Sequence, residues 1–131
     1  MSLRTTVEQA ALKTKALPAA AATAYTDSIE VGTGIHVKEF EVRLELPALP
    51  ALVDAKTVTV TLQDSADNTT FADIEELATL VVTGAGGVGC TAATREVRLP
   101  SSTEKYIRAK IAVLTAGGDN TAKSLTLSVL S

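Results

Sequence analysis

The stretch Thr57-Val58-Thr59-Val60-Thr61-Leu62-Gln63 decides the fold. Val58, Val60 and Leu62 alternate with Thr57, Thr59, Thr61 and Gln63, the period of a strand with one buried and one wet face. β-Branched side chains favour that pleated surface. The same period recurs on both sides of it. Phe40, Val42, Leu44 and Leu46 alternate with Glu39, Glu41, Arg43 and Glu45. Ile107, Ala109, Ile111 and Val113 alternate around Arg108 and Lys110, and Leu125, Leu127 and Val129 around Ser124, Thr126 and Ser128. Weaker strands are expected at 24–31, 72–82 and 94–99. Gly, Pro, Asn and Asp clusters at 32–34, 64–70, 84–89, 100–103 and 117–120 separate these runs as turns. Gly117-Gly118-Asp119-Asn120, between two alternating strands, predicts a terminal hairpin over 105–130. No amphipathic helix follows residue 19, so no crossover helices serve a parallel sheet. The expectation is an all-β fold, an antiparallel two-sheet sandwich or jelly roll of seven to eight strands with an N-terminal arm.

The chain has 131 residues, which favours one domain. Its hydrophobic content of 46% and mean hydropathy of +0.23 exclude a disordered polar chain. Aromatics are limited to Tyr25, Phe40, Phe71 and Tyr106, so the core must come from Val, Leu, Ile and Ala. Stacking platforms for single-stranded nucleic acid are correspondingly scarce. The net charge of −3 gives nucleic-acid binding no global support. Cys90 is the single cysteine, which rules out an internal disulfide and fits a reducing compartment. No run reaches the roughly 18 apolar residues of a membrane span, and Lys13 and Lys15 interrupt any signal-peptide core near the N-terminus.

Two segments stand apart. Residues 1–19 read as an arm preceding a domain at 20–131. A short helix is expected over 6–12, broken at Leu17-Pro18, and Leu12 and Leu17 are its candidate contact residues. The second segment, Pro47-Ala48-Leu49-Pro50-Ala51-Leu52-Val53, joins two good strands yet is apolar throughout. Loops usually run over the surface. An apolar loop therefore points either to a partner surface, with Leu49, Leu52 and Val53 as its contacts, or to a plug over the end of the sandwich.

Charge is unevenly distributed. Acids dominate residues 27–76, opposed there by Lys38, Arg43 and Lys56. Arg95, Arg98, Lys105, Arg108, Lys110 and Lys123 dominate residues 95–123. Attraction between copies is one reading, and ordinary solvated strand faces are the other.

The motifs that resemble chemistry lack its context. Gly84-Ala85-Gly86-Gly87-Val88-Gly89 satisfies a dinucleotide-binding spacing, but no helix-length segment separates it from the strand at 95–99. A glycine-rich hairpin loop is expected instead. Asp64, Asp67, Asn68 and Asp73 lack EF-hand spacing and suit a turn. His36 and Cys90, one of each, fall short of the usual ligand set of a zinc site within one chain. No sequence context gives either a triad partner. The Glu39, Glu41 and Glu45 set shares a strand face with Arg43, as on a wet sheet, and Glu75-Glu76 is the other carboxylate pair considered. No catalytic residue, metal or cofactor is expected.

Several stretches together carry a family likeness. They are Ala20–Thr23 with Ser28-Ile29-Glu30-Val31-Gly32, the run from Thr57 to Phe71, Lys105-Tyr106-Ile107-Arg108-Ala109-Lys110-Ile111, and the final strand at 125–130. In these the chain resembles the small jelly-roll cement, or decoration, proteins of tailed-bacteriophage capsids. The resemblance implies a virion component made in the host cytoplasm and placed on the capsid exterior. Its partners would be the major capsid protein and itself, as a homotrimer or homodimer. Arg108 and Lys110, on an outward strand face, join the arm and the apolar loop as candidate contacts. A non-catalytic carbohydrate-binding or fibre-associated sandwich is the alternative.

Overall fold

The computed structural model describes residues 12–31, 41–75, 77, 79–100 and 102–130. These residues form ten strands: β1 (Leu12–Ala16), β2 (Thr23–Tyr25), β3 (Ile29–Glu30), β4 (Glu41–Leu46), β5 (Thr57–Ser65), β6 (Ala72–Asp73), β7 (Leu80–Thr83), β8 (Ala93–Arg98), β9 (Tyr106–Val113) and β10 (Ser124–Leu130). All strand pairings are antiparallel. The first sheet runs β1-β10-β4-β8. The second runs β2-β9-β5-β6, with β3 also on β9 and β7 also on β5.

Because β2 and β3 share one side of β9, and β6 and β7 one side of β5, the ten strands occupy eight positions, four per sheet. Only β5 to β6 and its continuation β7 stay within one sheet. Every other step between positions crosses to the opposite sheet. That is the two-Greek-key path of a jelly roll. The break between β2 and β3 has a local cause. The backbone N–H of Ala109 donates to the Thr26 hydroxyl at 3.0 Å, where a straight strand would offer a carbonyl.

The alternating residues face each other across the two sheets. Val42, Leu44, Leu46, Leu125, Leu127 and Val129 meet Val58, Val60, Leu62, Ile107, Ala109, Ile111 and Val113, all buried. Among the described residues, aliphatic side chains fill this core, as the composition leads one to expect.

Four expectations are corrected. The terminal hairpin does not form, because β9 belongs to the second sheet and β10 to the first. The glycine loop at 84–89 likewise joins β7 to β8 across the sheets and is not a hairpin. Leu12 opens β1, which hydrogen-bonds to β10 as an integral strand of the first sheet, and the rest of the expected helix lies outside the described residues. Leu17, Leu49 and Leu52 are 2%, 0% and 2% exposed and are core residues, out of a partner's reach.

The burial of Leu49 and Leu52 follows from how neighbouring loops satisfy their backbone. Leu49 exchanges two hydrogen bonds with Cys90 (3.0 and 3.1 Å), and Val53 N–H donates to Gly117 O at 3.2 Å. Ala55 N–H donates to Gly84 O at 2.9 Å. With its polar groups answered, the apolar loop closes one end of the sandwich as a plug. Glycine is required where the loops touch it. A Cβ on Gly89 would overlap the Leu49 carbonyl, and one on Gly84 the Val53 carbonyl.

Candidate functional site: the outer face of the second sheet

The inward residues of β9 fix which residues face out: Tyr106, Arg108, Lys110 and Ala112. Register then sets their neighbours. Arg108 lies opposite Gln63, Lys110 opposite Thr61 and Ala112 opposite Thr59 on β5. Tyr25 of β2 lies opposite Lys110, and Asp73 of β6 opposite Gln63.

Arg108 is the most constrained side chain on this face. Its guanidinium carbon sits 4.0 Å from the ring centroids of both Tyr25 and Phe71. Each such contact contributes on the order of 0.5–2 kcal/mol, depending on desolvation. Arg108 Nε donates to Gln63 Oε1 at 2.9 Å, while Gln63 Nε2 donates to Asp73 Oδ1 at 2.9 Å. Asp73 thereby fixes the orientation of the Gln63 amide, and Gln63 fixes the guanidinium. Lys110 Nζ lies 3.9 Å from the same Asp73 oxygen. Among the described residues, only Gln63 accepts a hydrogen bond from the guanidinium of Arg108.

Phe71 reaches this position through the turn at 65–70. The Asp67 carboxylate accepts N–H bonds from Thr69 and Thr70 (2.9 Å each) and the Ser65 hydroxyl bond (2.9 Å). The Ser65 hydroxyl in turn accepts from the N–H groups of Asp67 and Asn68. These donors, first the Thr70 N–H and then that of Thr69, hold the Asp67 carboxyl at a pKa of about 2. Asn68 is left-handed, with φ of 63°. The turn, whose acids lack EF-hand spacing in the sequence, has them engaged by protein donors. Asp64 Oδ2 accepts the Glu104 N–H at 3.0 Å.

The face divides in two. Thr57, Thr59, Val81, Thr83, Thr23 and Ala112 form an uncharged band over four strands, set by the pairings Thr57 with Thr83, Thr59 with Val81 and Thr23 with Ala112. Beside it lies the aromatic and charged half. There Thr26, Asp27, Ser28, Asn68, Phe71 and Arg108 line a shallow groove.

The remaining candidates fall elsewhere. Leu12 (53% exposed) lies on the outer face of the first sheet, and Val53 (44% exposed) beside the plug. The structure does not bring either to Arg108 and Lys110. Cys90 is half-buried and bridged to Leu49. Gly84–Gly89 forms a turn closed by Ala85 N–H to Gly89 O at 3.0 Å and is followed by a strand. His36, Glu39, Phe40 and Glu76 lie outside the described residues.

Part of the uneven charge is answered within the chain. Glu41 pairs with Arg98 (3.7 Å), Glu30 with Lys105 (3.5 Å), and Arg43 with Glu96 (2.7 Å). The Glu96 hydrogen bond raises the Arg43 pKa. Interleaving puts early and late strands side by side, so the acidic and basic segments meet in one molecule. Sequence reasoning placed Arg108 and Lys110 on an outer face but missed Tyr25, Gln63, Phe71 and Asp73.

No protein-family model and no curated sequence matches this chain. Solved structures resemble it. PBSX exported protein XepA superposes with a TM-score of 0.57 at 15% identity, covering 90% of this chain and 35% of XepA. This chain thus spans about a third of that protein. A subunit of Bacillus endospore appendages gives 0.47 at 15% identity, covering 92% of this chain and 86% of that one. The Tomato aspermy virus structure gives 0.46 at 12% identity, covering 90% and 74%. At 15% identity the likeness to XepA is one of fold, a β-sandwich.

Proposed function

We propose that this chain is a non-catalytic structural protein of a virion, a cement or decoration protein on the exterior of a capsid shell. In this reading it binds the major capsid protein, bridges neighbouring subunits, and acts as a homotrimer or homodimer. One observation carries the reading. The outer face of the second sheet sets an uncharged Thr, Val and Ala band beside a rigidly held Arg108 and the adjacent Lys110. A pre-ordered arginine beside an uncharged band suits protein docking, since little side-chain entropy is lost on contact. Leu12 and Val53 are secondary contacts at separate places, and several separated contacts suit multivalent attachment.

The test mixes purified protein with undecorated capsids. Saturable binding that Arg108→Ala and Lys110→Glu weaken supports the reading. Absence of saturable binding overturns it. Light scattering with and without residues 1–11 then reads the oligomer mass.

A further inference from the structure

The groove beside Arg108 has a chemistry of its own. Two loops form it. One holds Thr26, Asp27 and Ser28 between β2 and β3, and the other is the turn that carries Asn68 and Phe71. The Thr26 hydroxyl is engaged by the Ala109 N–H. Among the described residues, no hydrogen bond or ion pair engages the side chains of Asp27, Ser28 or Asn68. The groove therefore offers a fixed guanidinium edge that only donates and a carboxylate that only accepts. It also offers an amide and a hydroxyl that do both, and Phe71 adds an apolar wall.

That mixture selects against ions. An anion would be drawn to Arg108 but opposed by Asp27, and a cation the reverse. A neutral ligand whose adjacent groups each donate and accept satisfies both. Vicinal hydroxyls of a pyranose have this property: each oxygen can accept from a guanidinium N–H while its proton goes to a carboxylate or amide oxygen. Rigidity favours such a match, because little side-chain freedom is lost when the sugar binds. The Asp73–Gln63–Arg108 chain and the two flanking rings fix the donor edge, and the Asp67 and Ser65 bonds fix the turn bearing Asn68. We propose that the groove formed by Asp27, Ser28, Asn68, Phe71 and Arg108 binds a neutral sugar through a pair of adjacent hydroxyls. The groove shares Arg108 with the proposed capsid-facing surface but takes Asp27, Ser28 and Asn68 from its own loops, so either reading can fail without the other.

The experiment titrates ¹⁵N-labelled full-length protein with glucose, galactose, mannose and N-acetylglucosamine, and in parallel with sodium acetate. The expected result is saturable shifts at Asp27, Ser28, Asn68 and Phe71 with at least one sugar. Asp27→Ala and Asn68→Ala, both on the surface, should each weaken that sugar about tenfold, the scale of one lost hydrogen-bond partner. Arg108→Lys, which keeps the charge but loses the fork, should do the same. Three results would overturn the proposal: no saturable shifts with any sugar, shifts confined to other surfaces, or acetate binding that Asp27→Asn tightens. The last would make the groove an anion site.

Discussion

Leu49 and Cys90 exchange both of their backbone hydrogen bonds, at 3.0 and 3.1 Å, and so tie the apolar plug to the glycine-rich connection between the sheets. The pairing explains why a hydrophobic loop can be buried without leaving polar groups unanswered. It also makes the end of the sandwich a place where small changes have large effects.

Leu49→Ala should lower unfolding free energy by about 2–5 kcal/mol, the range for emptying a core leucine site. Leu12→Ala, on an exposed edge strand, should stay within about 0.5 kcal/mol of the parent. Urea unfolding of the two variants measures the difference.

Gly87 and Gly89 share a φ of 75°, but a Cβ at Gly87 meets nothing within 4 Å, whereas one at Gly89 overlaps the Leu49 carbonyl. Gly87→Ala should therefore cost only the left-handed strain, about 1–2 kcal/mol. Gly89→Ala should add roughly 1–3 kcal/mol of overpacking to that. Thermal melts of the pair separate strain from contact.

Thr26→Val preserves shape and removes the acceptor for the Ala109 N–H, a donor in the middle of the sandwich. The expected cost is about 1–3 kcal/mol, the penalty for a buried unpaired donor. Hydrogen exchange at Ala109 should accelerate selectively, which distinguishes this from general loosening.

The Asp67 carboxyl, with a folded pKa of about 2, lies below the ordinary aspartate value of about 3.9. Its folded value is the lower one, so its contribution is complete above about pH 4. It is lost as pH falls through about 2. A carbon-detected titration should place its midpoint near 2. Asp67→Ala should speed amide exchange at Thr69 and Thr70 at neutral pH.

The sequence made the strand faces legible, because alternation reports burial directly. β5, β9 and β10 match their expected runs, and Arg108 and Lys110 face outward as their period requires. Alternation does not report which strand lies alongside which, and so β9 and β10 were read as a hairpin when they belong to opposite sheets. Leu49 and Leu52 were ambiguous because a plug and a docking patch have the same hydropathy. The available signal was the glycines at 84, 89, 117 and 118, spaced along two distant loops where another backbone comes close. Tyr25 and Phe71 were not legible as partners of Arg108. One sits on a three-residue strand and the other arrives through a turn, so only the tertiary path joins them.

β10 is synthesised after every other strand, yet it lies inside its sheet, between β1 and β4. During translation both neighbours must wait with open edges until it emerges. Closing the sheet then joins segments nearly the whole chain apart, an ordering that slows folding. The half-made chain is the species most exposed to edge-to-edge aggregation. Truncation within 124–130 would remove the middle of a sheet rather than trim its rim. The emergence of β10, more than any local turn, is therefore the event that lets the first sheet close.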